Sequence, residues 1–211
     1  GNVNHSGIYV PALNNGGPYT YTVQGTGACS DETATISVTE VVAPNAGEPN
    51  VVDICSDAPV FNMLDELAGS PQNTGTWTGP GGAPHGSSFN PVVDSSGVYT
   101  YTVTGGAGCE PATATLTVNL THAPNAGEDS TLAACNTGTA IDLFLALGPD
   151  ADTGGTWTDI TGVGAAFSNG LLNASAVGLG SYQFSYSVPG NGLCLGDVDT
   201  VTVEVGTGLD P

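Results

Sequence analysis

The chain of 211 residues carries 20 Asp plus Glu, three His and neither Lys nor Arg, a formal charge of −20 at pH 7. An average domain is about 25% charged with about half of that basic, so about two dozen basic residues are missing. Nucleic-acid binding, which neutralises phosphate with Lys and Arg, is thereby excluded, and so is attraction to anionic membrane surfaces.

The carboxylates are left to water, backbone N–H groups, metal ions or partners, and trypsin-like proteases find nothing to cut. No apolar run approaches the roughly 18 residues of a membrane-spanning helix, so direct membrane insertion is not expected. Gly (32) and Pro (14) are abundant, and Thr, Val, Tyr and Ser alternate in short stretches, the vocabulary of an all-β chain. Five cysteines point to an oxidising, extracytoplasmic location. None lies in a C-x-x-C pair, and His5, His85 and His122 are scattered, which argues against zinc.

In chain order, residues 1–42 hold "YTYTVQGTGAC" (19–29), a strand, Gly turn and cysteine, then the closing strand "TATISVTEV" (33–41). Residues 43–121 begin with an "APNAGE" linker (43–48), then Cys55, the apolar segment "FNMLDELAG" (61–69) and "GTWT" (75–78). They end with "YTYTVTGGAGC" (99–109) and "TATLTVNL" (113–120). Residues 122–211 repeat the order: "APNAGE" (123–128), Cys135, "IDLFLALG" (141–148), "GTWT" (155–158), "FSYSVPGNGLC" (184–194) and "DTVTVEV" (199–205). The first two full markers recur 80 residues apart, the mark of a tandem array. Residues 43–121 and 122–211 read as complete units; residues 1–42 read as the C-terminal half of one. The segments at 61–69 and 141–148 predict helical turns over the core.

Parity sets the fold. Tyr99, Tyr101 and Val103 share one strand face; Ala114, Leu116, Val118 and Leu120 share another, with Thr on the opposite sides. Short strands of this kind between Gly-rich turns predict tandem antiparallel β-sandwiches, the first incomplete. The orders Cys55–Trp77–Cys109 and Cys135–Trp157–Cys194 resemble an immunoglobulin-like domain, with 22 residues from Cys to Trp in both. We therefore expect Cys55–Cys109 and Cys135–Cys194 bonds, each closing a loop worth about 4 kcal/mol by chain entropy, and core positions for both Trp. Cys29 has no early partner in the chain. Either upstream sequence supplies one, or another molecule completes the half unit and covers the face of Tyr19, Tyr21 and Val23.

With "APNAGEPN" and "APNAGEDS", "GTWTGPGG" and "GGTWTD", and "GVYTYTVTGGAGCEPATATLTV" on the page, the chain resembles the immunoglobulin-like (PKD-like) repeats of large secreted surface proteins of Bacteroidota, arrays that precede gliding-motility-associated, C-terminally sorted tails. The resemblance covers essentially the whole chain. It implies a secreted, cell-surface, non-catalytic spacer or adhesive array, and it supplies no catalytic residue. The third unit departs from it by a longer Trp157–Cys194 interval and by "GTGLDP" in place of a linker. The resemblance also implies Asp-Ser/Thr O-glycan motifs, which single out Ser130 and Thr200.

Calcium takes roughly six to eight oxygen ligands. Its candidates are Glu48, Glu128, Asp129, Asp197 and Asp199 beside the linkers and last strand, and Asp150 with Asp152; a solvated acidic surface is the competing reading. No motif requires a cofactor. N-x-S/T sequons mark Asn4, Asn119 and Asn173 for glycans. No catalytic motif is present, so an enzyme is not expected. Three functions compete: an extracellular fibre subunit that joins copies of itself head to tail through its half unit, an adhesin or spacer segment of a longer surface protein, and a non-catalytic carbohydrate-binding appendage.

Overall fold

The computed structural model describes residues 6–207, and within them the chain is all β, with only short 3-10 turns besides. The principal strands are β1 (Gly17–Val23), β2 (Glu32–Val38), β3 (Asn50–Cys55), β4 (Thr76–Thr78), β5 (Gly97–Val103), β6 (Ala112–Thr121), β7 (Ser130–Cys135), β8 (Thr156–Asp159), β9 (Gly180–Val188) and β10 (Asp197–Gly206). In the second unit one sheet runs β3-β6-β5-β4, edged by Pro84–His85, and faces the short ladder of Phe61–Asn62 with Ser88–Phe89. The third unit repeats this as β7-β10-β9-β8, facing a three-stranded ladder of Ile141–Asp142, Leu171–Leu172 and Phe167–Ser168. The predicted helical turns are there, as single 3-10 turns at Met63–Glu66 and Phe144–Leu147.

Strand parity holds residue by residue. Tyr99, Tyr101, Val103, Ala114, Leu116 and Val118 are all buried, together with Met63, Leu67, Trp77 and Phe89. The third core is built from Leu143, Leu147, Leu172, Phe184, Tyr186, Val188, Val201, Val203 and Val205. Each such side chain withdrawn from water contributes about 1.5–3 kcal/mol. Trp77 lies in the core as expected, whereas Trp157 is only half-buried against its core.

Two repeated motifs acquire physical reasons. In "GTWT", the glycine is squeezed under a tyrosine ring: a Cβ on Gly75 would meet Tyr101 Cζ at 2.5 Å, and one on Gly155 would meet Tyr186 Cζ at 2.6 Å. The Gly75 N–H donates to the Tyr101 hydroxyl (2.8 Å), which donates in turn to the Gln72 carbonyl (2.6 Å). Tyr186 does the same between Gly155 and Asp152. "APNAGE" proves to be part of the domain rather than a loose linker. Ala46 and Ala126 are core residues, and Asn45 and Asn125 pin the turn by accepting from the N–H of Gly47 and Gly127 and donating to carbonyls of the neighbouring loop.

The sheets are antiparallel with one exception. In the second and third units the first strand runs parallel to the last: Cys55 lies opposite Thr121, and Cys135 opposite Gly206. Cys109, by contrast, precedes Ala112 at the far end of β6, and Cys194 precedes Asp197 at the far end of β10. Nine residues of strand at roughly 3.3 Å each separate the two cysteines of a unit by about 30 Å, far beyond the roughly 7 Å limit on Cα–Cα for a disulfide. The expected Cys55–Cys109 and Cys135–Cys194 bonds are therefore corrected. The bond that forms is Cys55–Cys194, with Cα atoms 5.3 Å apart, between consecutive units, and Cys29, Cys109 and Cys135 are free.

The first segment keeps the same strand pair in the same register: Tyr19 faces Ile36 as Tyr99 faces Leu116, and Tyr21 faces Ala34 as Tyr101 faces Ala114. Even the approach loop is shared, for Tyr9 meets Tyr19 edge-on at 5.6 Å as Phe89 meets Tyr99 at 5.5 Å. The Tyr9 hydroxyl donates to Glu40, and that bond to the carboxylate pushes its pKa up to about 12.

The tyrosine bridges predict unequal losses from one chemical change. Tyr101→Phe removes the part-buried bonds to the Gly75 N–H and the Gln72 carbonyl and is expected to destabilise the second unit by about 0.5–1.5 kcal/mol. Tyr186→Phe acts alike on the third. Tyr21→Phe, at the equivalent open position, changes nothing measurable. Urea unfolding of the three variants checks this.

Candidate functional site

The junction between the second and third units is the most constructed place in the molecule. Cys55 ends β3 at the trailing end of its unit, where the chain leaves, and the turn after it is tied to the connecting segment. The Ser56 N–H donates to the Thr121 carbonyl (2.9 Å), and the Ala123 N–H donates to Ser56 Oγ (2.9 Å). From the third unit, the turn between β9 and β10 reaches back: Asn191 Nδ2 donates to the His122 carbonyl (2.9 Å), and Cys194 closes the bond. Cys55, Asp57 and Cys194 are the one group of potential metal ligands among the described residues with all ligand atoms within 4.8 Å, and both sulfurs are spent in the disulfide.

The same parts stand at the other poles. The late turn is tight in every unit, because a Cβ on Gly25, Gly105 or Gly190 would meet the carbonyl oxygen of Cys29, Cys109 or Cys194 at 2.2, 2.2 and 2.6 Å. Gly106 packs against Val41, the counterpart of Thr121, so Cys109 faces the first-to-second junction. At the trailing end of the third unit, the Asn136 N–H donates to the Gly206 carbonyl (3.0 Å), just as Ser56 does to Thr121. Sequence reading missed this arrangement. Its signal was that the early cysteine ends a strand while the late cysteine sits in a turn.

Of the calcium candidates, Asp129, Asp197 and Asp199 come together beside Glu128. Two are already engaged: Asp129 Oδ1 accepts from the Thr200 N–H (2.7 Å) and Asp197 Oδ2 from the Ala126 N–H (2.8 Å). Burial first, then the neighbouring Asp197 and Asp129, push the Asp199 carboxyl above its usual range. These four are the residues a divalent cation would meet. Asp152 accepts from the Asn125 N–H, Asp150 offers its carbonyl to Asn125, and Glu48 belongs to the other unit.

Among the glycan candidates, Asn4 lies outside the described residues. Asn119 is exposed and donates to Asp53; Asn173 is half-buried and accepts from Ser175. Thr200 is half-buried, and the Ser130 hydroxyl is buried without a hydrogen-bond partner.

The expected assembly face is open. Tyr21 is 71% exposed and Val23 52%, where their counterparts Tyr101 and Val103 are 1% and 2%. Tyr19 is half-covered by Tyr9, and Ile36 (67% exposed, against 0% for Leu116) extends the patch across β2.

No family model matches the chain, and neither does any curated protein. Among solved structures it is similar to an I-band fragment of titin (13% identity, 92% of this chain and 75% of that one, TM-score 0.40). It is also similar to a fragment of mouse clustered PcdhgC3 (16% identity, 90% and 78%, TM-score 0.36). An endo-fucoidan hydrolase of glycoside hydrolase family 107 matches at 9% identity over 93% of this chain and 35% of its own, with a TM-score of 0.24.

A raised carboxylate pKa has a defined consequence. The folded state disfavours ionised Asp199, so the stability this group allows is present below pH 3.8 and lost as pH rises through its higher folded value. Asp199→Asn is expected to raise the melting temperature at neutral pH, with the difference from the parent chain vanishing below about pH 4. Melting curves from pH 3 to 8 read it out.

Proposed function

We propose that this chain is a structural subunit of an extracellular fibre or surface array, non-catalytic, which assembles head to tail as copies of itself complete the half unit. One observation carries the reading. The β1–β2 pair is identical in register to β5–β6, yet its inward face is open at Tyr21, Val23 and Ile36 where the second unit buries its own in a core with Met63, Phe89 and Trp77. An apolar sheet face with an unpaired edge draws other polypeptide onto it, and a contact between unlike surfaces that does not close a ring propagates as a filament. An extracellular location is supported by the disulfide between units, a bond that persists chiefly where thiols are not kept reduced. The absence of Lys and Arg, which denies trypsin-like proteases a target, suits long exposure outside a cell.

The test is the solution behaviour of the chain alone. Sedimentation and negative-stain electron microscopy across a concentration series are expected to show filaments. Tyr21→Glu, which puts a charge in the open face without touching either complete core, is expected to leave short, soluble species. A parent chain that stays monomeric at every concentration overturns self-assembly and leaves the spacer reading in its place.

A further inference from the structure

Cys55–Cys194 joins the early cysteine of the second unit to the late cysteine of the third, and the repeat carries the same two cysteine positions elsewhere in the chain. This placement follows from the fold, because parallel pairing of first and last strands places early cysteines at trailing ends and late cysteines at leading ends. Applied to the free thiols, it sorts them. Cys135 sits at the trailing end of the third unit, beside Gly206, in the position Cys55 holds beside Thr121. The turns match as well, with the Gly138 N–H donating to the Cys135 carbonyl (2.9 Å) and the Ala58 N–H to the Cys55 carbonyl (3.1 Å). Cys29 sits at the leading end of the first unit, in the same tight Gly turn that presents Cys194. Both are exposed, whereas Cys109 is half-buried in the turn whose Gly106 packs against Val41 at the internal junction.

We infer that Cys135 of one copy forms a disulfide with Cys29 of the next, reproducing between molecules the bond that Cys55 and Cys194 make within one. The two exposed thiols are counterparts of the two unlike halves of the Cys55–Cys194 bond, one on the leading pole of the first unit and one on the trailing pole of the third, so the link is directional. Two Cys135 thiols, or two Cys29 thiols, belong to like poles and do not meet in this geometry. The step is thiol–disulfide exchange with a small-molecule disulfide as oxidant. The Cys135 thiolate attacks the oxidant and releases one small thiol; the Cys29 thiolate then attacks the mixed disulfide and releases the second. Two protein thiols and one small disulfide thus become one protein disulfide and two small thiols. The inference rests on the head-to-tail reading and adds its covalent lock.

The experiment incubates the full chain in oxidised and reduced glutathione, separates it on non-reducing gels, and maps cross-linked peptides after cleavage at acidic and aromatic residues, since trypsin has no site. A ladder of multimers joined by a Cys135–Cys29 peptide is expected, collapsing under reductant. Cys29→Ser and Cys135→Ser should each remove the ladder alone and form a single linked pair when mixed, while Cys109→Ser should leave it intact. Cys135–Cys135 or Cys29–Cys29 links, or glutathione adducts as the only products, overturn the inference. So does a Cys135–Cys109 link, which would instead report strand exchange into the first unit. Electron microscopy of the same samples separates the two proposals. Filaments without the Cys135–Cys29 bond leave assembly standing and remove the lock; linked pairs without filaments do the reverse.

Discussion

In the second and third units, the parallel pairing of the first strand with the last decides most of what this molecule is. In a domain whose two cysteines meet across the core, the disulfide restricts the unfolded chain and stabilises that domain. Here the pairing drives the cysteines to opposite poles, about 30 Å apart at roughly 3.3 Å per residue. Each core stands on burial alone, and the bond is released to act between units. With Ala126 sunk in the third core and Asn125 holding its turn, only a few residues after Thr121 are left to flex, and Ser56, Asn191 and the disulfide hold those. The result is a connection tied from both units by hydrogen bonds and one covalent bond.

The missing cations shape the loops as much as the surface. With no Lys or Arg to pair with, carboxylates accept from backbone N–H groups instead: Asp31 from Gly25, Asp94 from Asn90, Asp142 from Phe144, and Asp159 from both Gly162 and Gly164. Acidic residues thus serve as turn caps, and the tight late turn of the first segment is held closed by one of them. The arrangement costs most where carboxylates outnumber the N–H groups within reach. Asp199, crowded by Asp197, Asp129 and Glu128 at the base of β10, is that place.

How much could be read in advance followed from how local each signal is. Alternation along Tyr99–Val103 and Ala114–Val118 named the core face correctly, because period-two parity depends only on the strand itself. The turns at Met63 and Phe144 were legible because their short apolar runs break that alternation, which is also a local signal. The open face of the first strand pair could be gauged because the repeat supplied its own template, with Tyr21 to be measured against Tyr101. The disulfides were misread because their partners depend on strand direction across the sheet, a non-local fact. An order of Cys, Trp and Cys is silent on whether the first strand runs with or against the last. The roles of "APNAGE" and "GTWT" were likewise hidden in close approaches, of Gly127 to the Leu147 carbonyl and of Gly155 to the Tyr186 ring, that only three dimensions display.

The open face and the polar cysteines belong to one energetic argument. Tyr21, Val23 and Ile36, each already part-covered, together would gain about 3–6 kcal/mol on full burial. Association costs an estimated 4–15 kcal/mol in lost translational and rotational freedom, so three side chains barely meet it. A two-stranded hairpin is itself marginal in water, and part of the gain goes to ordering it. Burial of this size selects a partner and orients it, but a contact resting on it alone would come apart on dilution. A covalent bond between complementary poles removes that concentration dependence, because once one contact is made permanent the next is intramolecular. In the proposed assembly the apolar face would supply recognition and the cysteines permanence, and neither would suffice alone against dilution.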